Sequence, residues 1–395
     1  MDFIGFREPM TLAEMLDRLR HGRADALRRS AKRSFDKGEN TAAVRKLLEL
    51  NDAATDAELF RLGECYEKAI GVLPNPARAV HWYEAAAARG YLPAMERLGE
   101  IYLSGREAVG HRGSLVPSAS VPKDHLRALH WNRLAAEGGL PEAQARLGSQ
   151  YAAGFGVARD PDMAERWFRA SAEQGSAAGQ FGLGALYSSG SAGAGKDREA
   201  AQWFEKSAGQ GNAAAQMCLA IALLDGRGLA ADAERAMKLM TQAAEGGQVE
   251  AMFRLGQLHR NEEPGGKDIS KAESWLRRAV VRGHRGAPLA LAHLLTEDLS
   301  TPDYIGAAAV LRESAERGDA RAQFELGRFY AAGNGVGRDV TEARRWFVTA
   351  MQGGIAEARQ ALVELEAAIE QEAAAAAEES AGDADAGQTE HPGHP

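Results

Sequence analysis

Apolar and polar positions along this chain recur at a fixed spacing. A Leu followed by a small residue stands at Leu62-Gly63, Leu98-Gly99, Leu147-Gly148, Leu183-Gly184, Leu219-Ala220, Leu255-Gly256, Leu291-Ala292 and Leu326-Gly327. The steps between them are 36, 49, 36, 36, 36, 36 and 35 residues, so a unit of about 36 residues occurs eight times. A second series follows. Ala79, Ala128, Ala164, Ala200, Ala236, Ala272, Ala307 and Ala343 each stand three residues before a bulky position, filled by Trp82, Trp131, Trp167, Trp203, Leu239, Trp275, Val310 and Trp346. All six Trp of the chain fall there. Eight residues further on comes a Gly each time: Gly90, Gly139, Gly175, Gly211, Gly247, Gly283, Gly318 and Gly354. Self-similarity of this kind marks a repeat architecture.

Each unit predicts two antiparallel helices, A and B. In the third unit helix A is expected over about Glu142–Ala153 and helix B over about Pro161–Gln174. The small residue after Leu lets the facing helix come close. Trp in helix B is expected to be the large apolar plug, burying about 200 Å², with Ala one turn earlier leaving room on the same face. The closing Gly suits a left-handed C-terminal cap. Asp160 and its equivalents suit the N-cap of helix B, with Pro161 at the first helical position.

The loop between helices, "AAGFGVARD", carries Gly154 and Gly156. A Gly-rich loop ahead of a helix can cradle phosphate. This one recurs at Gly226–Gly228 and Gly333–Gly335, and half-formed at Gly71-Val72. Its glycines are therefore read as the reversal from helix A to helix B, with Val157 tucked back as an anchor.

The pattern AxxxLGxxYxxGxGVxxDxxxAxxWFxxAAxxG resembles the Sel1-like repeat, a relative of the tetratricopeptide repeats. The third unit and the eighth, "AQFELGRFYAAGNGVGRDVTEARRWFVTAMQGG", match it nearly throughout, and the fifth and seventh depart most. The resemblance covers about residues 56–356. It implies an all-α, right-handed α/α solenoid of about eight helix-turn-helix units, with a concave face used chiefly to hold other proteins.

A solenoid needs covered ends. Residues 1–55 are expected to cap the first unit, through "TLAEMLDRL", opening with a Thr11–Glu14 capping box, and the amphipathic "NTAAVRKLLEL". Residues 357–376 are expected to form a closing helix, and 377–395 a disordered acidic tail. The second unit is too long by an insertion near 106–123; it is either a contact loop or an idle, tolerated one. The locally basic "RLRHGRADALRRSAKR" reads first as a solvated face of a capping helix.

Net charge is −8, yet from Glu364 onward there are nine acidic residues and no Lys or Arg. The remainder carries 47 basic against 46 acidic groups, a net of +1, which gives no electrostatic case for nucleic acid. The two cysteines, Cys65 and Cys218, read as packed thiols rather than a disulfide framework. No secretory leader and no run of about 18 apolar residues is present, so no membrane span is expected and the cytoplasm is the expected compartment.

None of the ten His forms a zinc-ligand pattern. His81 and His130 precede repeat Trp positions, and His391 and His394 lie in the acidic tail. No nucleophile elbow or phosphate loop appears. We therefore expect no catalytic residue, no metal and no cofactor, and a non-enzymatic scaffold or adaptor holding a protein or peptide. Helix A residues beside the Leu-Gly pattern are the candidate contacts: Arg97, Glu100, Arg146, Gln150, Gln180, Gln216, Arg254, Gln257, Arg321, Glu325 and Arg328. Their Arg excess suits an acidic or polar peptide; water alone would satisfy them as well. The alternatives are a regulatory or envelope-associated bacterial factor and a hydrolase with a composite site in the groove. Partner and oligomeric state are not written in the sequence.

Overall fold

The computed structural model describes residues 12–107, 120–191, 193–261 and 266–386. Thr11 of the expected capping box, His391 and His394 lie outside them, as do residues 108–119 of the insertion. The described residues are helical throughout, apart from turns and one antiparallel bridge between Arg106 and Val121. That bridge, with backbone hydrogen bonds of 2.7 and 2.8 Å, closes the base of the insertion.

Two compact units divide the chain after Asn212. The first opens with α1 (Leu12–Asp36) and α2 (Asn40–Leu48). Four helix pairs follow: α3 (Asp56–Lys68) with α4 (Pro76–Ala87), α5 (Leu92–Ser104) with α6 (His125–Glu137), α7 (Pro141–Ala153) with α8 (Pro161–Glu173), and α9 (Ala177–Ser188) with α10 (Asp197–Gly209). The second unit continues with α11 (Ala213–Asp225) and α12 (Ala233–Glu245), then α13 (Val249–Arg260) and α14 (Ile269–Val281). Next come α15 (Ala287–His293) with α16 (Tyr304–Glu316), α17 (Ala320–Ala332) with α18 (Val340–Gln352), and finally α19 (Glu357–Ala386). Within each of the two compact units every helix packs on its chain neighbour.

Helix starts are set by side chains. Asn75, Asp124, Asp160, Asp232, Asp268, Asp303 and Asp339 each accept a hydrogen bond from a backbone N–H in the first turn of helix B. Their own backbone N–H groups donate back to helix A, as Asp160 N does to Tyr151 O at 2.9 Å. One residue thus caps one helix and ties it to the other. Only α10 starts otherwise, at Lys196, without a side-chain cap. The closing glycines stand at φ between 79° and 93° in all eight units, where a Cβ would be strained.

The facing of A and B corrects one expectation. The repeat Trp is not the plug. Trp82, Trp131, Trp167, Trp203 and Trp275 are half-buried, and Trp346 alone is buried, at 7% exposure. The next residue fills the core in every unit: Tyr83, Asn132, Phe168, Phe204, Met240, Leu276, Leu311 and Phe347. That position lies four residues after the repeat Ala, on the same helix face, whereas Trp is rotated to the flank. The small residue after Leu faces this plug. A Cβ on Gly148 would stand 2.7 Å from the Phe168 ring, and one on Gly63 2.4 Å from Tyr83. Basic groups cover the Trp flank, with Lys206 3.9 Å from the centre of Trp203 and Arg278 4.1 Å from that of Trp275.

Successive pairs are latched through tyrosine. Arg133 donates to the Tyr151 hydroxyl, Arg169 to Tyr187 and Arg312 to Tyr330, while the Tyr102 hydroxyl donates to Glu84. Each partner lies eighteen residues earlier, on the preceding helix B.

The ends differ from expectation in extent. Ala43, Val44 and Leu47 of α2 are buried, as the amphipathic reading expects. At the other end α19 passes the expected boundary at 376 and holds ten further residues in helix. The all-Ala run at 373–377 has the highest helix propensity and carries it on. Residues 387–395 of the expected tail lie outside the described residues.

Candidate partner-binding site

Helix A side chains of the first unit form a charged row, but most are held by neighbours. Arg97 donates to both oxygens of Glu67, with Nε 2.9 Å and Nη2 2.5 Å away, and to Glu100 at 2.5 Å. Arg106 approaches Glu67 at 3.5 Å and Glu100 at 3.4 Å. The Tyr83 hydroxyl, rising from the core, donates to Glu67 at 2.8 Å. Burial pushes the Glu67 carboxyl upward, but hydrogen bonds from Arg97 and Tyr83 and the charges of Arg97 and Arg106 outweigh it, leaving it below its ordinary value. Burial and then Glu67 push the Tyr83 phenol well up. Arg97 and Glu100 therefore brace α3 against α5.

Arg146 and Gln150 have a different task. Asn132 is the one polar residue at the plug position, and it is fully buried. Its amide donates to Gln150 Oε1 at 2.8 Å, and its carbonyl accepts from Arg146 Nε at 3.3 Å. Arg146 also pairs with Glu96 at 2.8 Å. A buried amide without partners would be costly, and these two candidates supply them. Gln150 is 1% exposed. Gln180 is buried too, accepting from Gln210 at 2.8 Å. The pair of Gln174 and Gln144 repeats that contact one unit earlier.

In the second unit the candidates reach solvent more often. Gln216 is buried. Arg254 is exposed and pairs with Glu250 at 2.8 Å, and Gln257 is exposed. Arg321 pairs with Glu357 at the start of α19 at 2.9 Å. Glu325 is buried and accepts from the exposed Arg328 at 3.1 Å. Arg328 lines a cleft of about 640 Å³ between α17, α18 and α19. Phe324, Phe347 and Leu365 form its apolar floor, with Arg338, Gln360 and Glu364 on its polar walls. Of the sequence candidates, this cleft gathers Arg328 alone. Arg338, Gln360 and Glu364 were not singled out, because α19 stands outside the repeat and Arg338 sits in the A–B turn.

Among the described residues no group of three or more His, Cys, Asp or Glu could hold a metal ion. Burial raises the thiols of Cys65 and Cys218, which keeps them protonated and poorly nucleophilic. No helix of the described residues is long and apolar enough to cross a membrane.

Helix pairs recurring at a 36-residue register, all but one of the helices B capped by an Asp or Asn side chain, define a helical-repeat protein of the α/α solenoid class. The chain belongs to the Sel1 repeat family: the Sel1 repeat pattern matches residues 59–91, 92–140, 141–176, 177–212, 213–248, 249–284 and 320–354. Of the eight units counted from the sequence, the seventh, at 285–319, falls outside these matches. A similar structure is c5321, described as a protective antigen present in uropathogenic Escherichia coli strains displaying an SLR fold. It is 28% identical, with a TM-score of 0.55, over 90% of this chain and 82% of that one. A Sel1 repeat protein from Oxalobacter formigenes is also 28% identical, with a TM-score of 0.55, over 81% of this chain and 89% of that one. No curated protein matches the chain.

Proposed function

We propose that this protein is a non-enzymatic scaffold that holds a polar or acidic segment of a partner protein, and that the cleft between α17 and α19 is a principal seat. The observation that carries this reading is the cleft itself. It joins an apolar floor of Phe324, Phe347 and Leu365 to the exposed guanidiniums of Arg328 and Arg338. An extended peptide needs just such a mixture, apolar area for affinity and a few charges for register. Arg254, Gln257 and Arg321 are the further contacts we assign to helix A surfaces of the second unit. Two unpaired thiols suit a reducing compartment, and we place the protein in the cytoplasm.

The test is a photo-crosslinking amino acid at position 328 and, as a control, at position 166 on the outer surface of α8, in the native cell. A partner captured from 328 and not from 166, and lost in an Arg328→Glu/Arg338→Glu variant of unchanged circular dichroism, supports the cleft. Equal capture from both positions rejects it.

A further inference from the structure

The seventh helix pair breaks the repeat register, and the break opens a second cavity. In the third and fourth units a helix B serine closes onto the start of its own helix A. Ser171 Oγ donates to Pro141 O at 2.6 Å, and Ser207 Oγ to Ala177 O at 2.7 Å. Both acceptors lie thirty residues earlier, on the first residue of helix A. Ser314 on α16 is the equivalent residue. The equivalent of Pro141 and Ala177, six residues before the repeat Leu, is Arg285, but α15 starts only at Ala287 and is seven residues long, followed by a π-helical turn at Leu294–Asp298. Ser314 is only 4% exposed, yet its hydroxyl has no hydrogen-bond partner among the described residues.

Ser314 lines a cavity of about 600 Å³ together with Arg285, Arg317 and Arg321. Arg285 has no ion pair among the described residues. Arg317 pairs with Glu313 at 2.6 Å and Arg321 with Glu357 at 2.9 Å, with every partner more than 40% exposed. Such solvent-exposed pairs hold their guanidiniums weakly and release them to a better acceptor. One acidic group, Asp319, also lines it; its Oδ1 caps α17, accepting from the backbone N–H groups of Arg321 and Ala322 at 3.0 Å, and it keeps its charge. His284, also on the wall, receives the Gly286 N–H on Nδ1 at 3.2 Å, which places its proton on Nε2 toward Glu250 at 3.0 Å. The cavity therefore sets three arginines against the single carboxylate of Asp319, and Ser314 adds a neutral donor without a hydrogen-bond partner among the described residues.

We propose that this cavity binds an oxyanion with two or more acceptor oxygens, the guanidiniums engaging its charge and Ser314 its innermost oxygen. A free phosphate ion and the carboxylates of an acidic peptide share this chemistry. The site adjoins the α17–α19 cleft through the Arg321–Glu357 pair, since Glu357 lines that cleft; Arg285 and Ser314, which the cleft does not include, distinguish it from the scaffold reading.

Isothermal titration calorimetry of the full chain at low ionic strength, with inorganic phosphate in one arm and a tetraglutamate peptide in the other, tests it. Saturable one-site binding is expected in at least one arm, and which arm responds tells free anion from acidic segment. Arg285→Gln should weaken it about tenfold, the scale of one lost charge-assisted hydrogen bond. Ser314→Ala, which breaks no existing hydrogen bond, should weaken it about fivefold. Ser171→Ala, at the equivalent hydroxyl already committed to Pro141, should leave it unchanged. Saturation in neither arm overturns the proposal, as does wild-type affinity in both Arg285→Gln and Ser314→Ala.

Discussion

At the scale of single residues, the division of labour between Trp and its successor is the main determinant. Phe204 is 3% exposed and fills the space that Gly184 leaves, whereas Trp203 stays half in water beneath Lys206. Phe204→Ala should cost about 3–5 kcal/mol, and Trp203→Ala about half as much, because part of its ring is never desolvated; urea melts of both variants will rank them. The plug was hard to read because its occupants vary from Tyr to Asn to Met, while Trp advertises itself. Asn132 was legible in principle, as the one polar residue in that column, and it explains why Arg146 and Gln150 are there. Glu67 supplies a second prediction. Its carboxyl titrates below the unfolded value, so its pairing stabilises at neutral pH and is lost as pH falls through the folded value. Arg97→Ala should cost about 2 kcal/mol near pH 7, and progressively less as the pH falls below the ordinary carboxylate range and Glu67 takes up its proton; denaturant midpoints along an acid series will show the difference.

Among elements, the helix A to helix B turn was the most legible part of the molecule. Asp160, Pro161 and Gly154 have local preferences strong enough to be read without neighbours, and α7 and α8 begin and end within a residue or two of their expected limits. Asp160→Ala should cost about 1 kcal/mol of stability, seen as a lower thermal midpoint. Lys196→Ala should not show that cap loss, since α10 has no side-chain cap to lose. The seventh pair was counted as a unit on Leu291-Ala292, Ala307, Val310 and Gly318, without a Trp. The truncated α15 and its π-turn depend on how Pro288 and the residues after it pack, which spacing does not report. Nor did spacing show that Gln180 and Glu325 would be buried, because polar side chains beside a Leu-Gly pair face either water or a neighbouring helix, according to what that helix offers.

For the whole molecule, stability in a repeat array is a sum of unit and neighbour terms, so a weak unit should reveal itself locally. Amide hydrogen exchange is expected to be faster in α15 and the turn that follows it than in α13 or α17, since α15 is short and lacks a side-chain cap. Uniform protection across 249–332 would show that the interrupted unit carries no penalty. The repeat family and the helical class were legible because eight copies average out local noise. The α17–α19 cleft was not, because one of its walls is built once and belongs to no copy.

The second glycine of the A–B turn carries a consequence for how such a chain can grow. A Cβ on Gly156 would stand 2.3 Å from the carbonyl oxygen of His125, and one on Gly335 2.1 Å from that of Tyr304. Both carbonyls belong to the first residue of the preceding helix B. In the first pair the same contact falls to Asn40, the first residue of α2. These three turns are therefore moulded on the helix before them, and α2 serves as the mould for the first. A gene could lengthen this protein by duplicating whole modules in phase after α2, but an ancestor that began at α3 would have lacked its template.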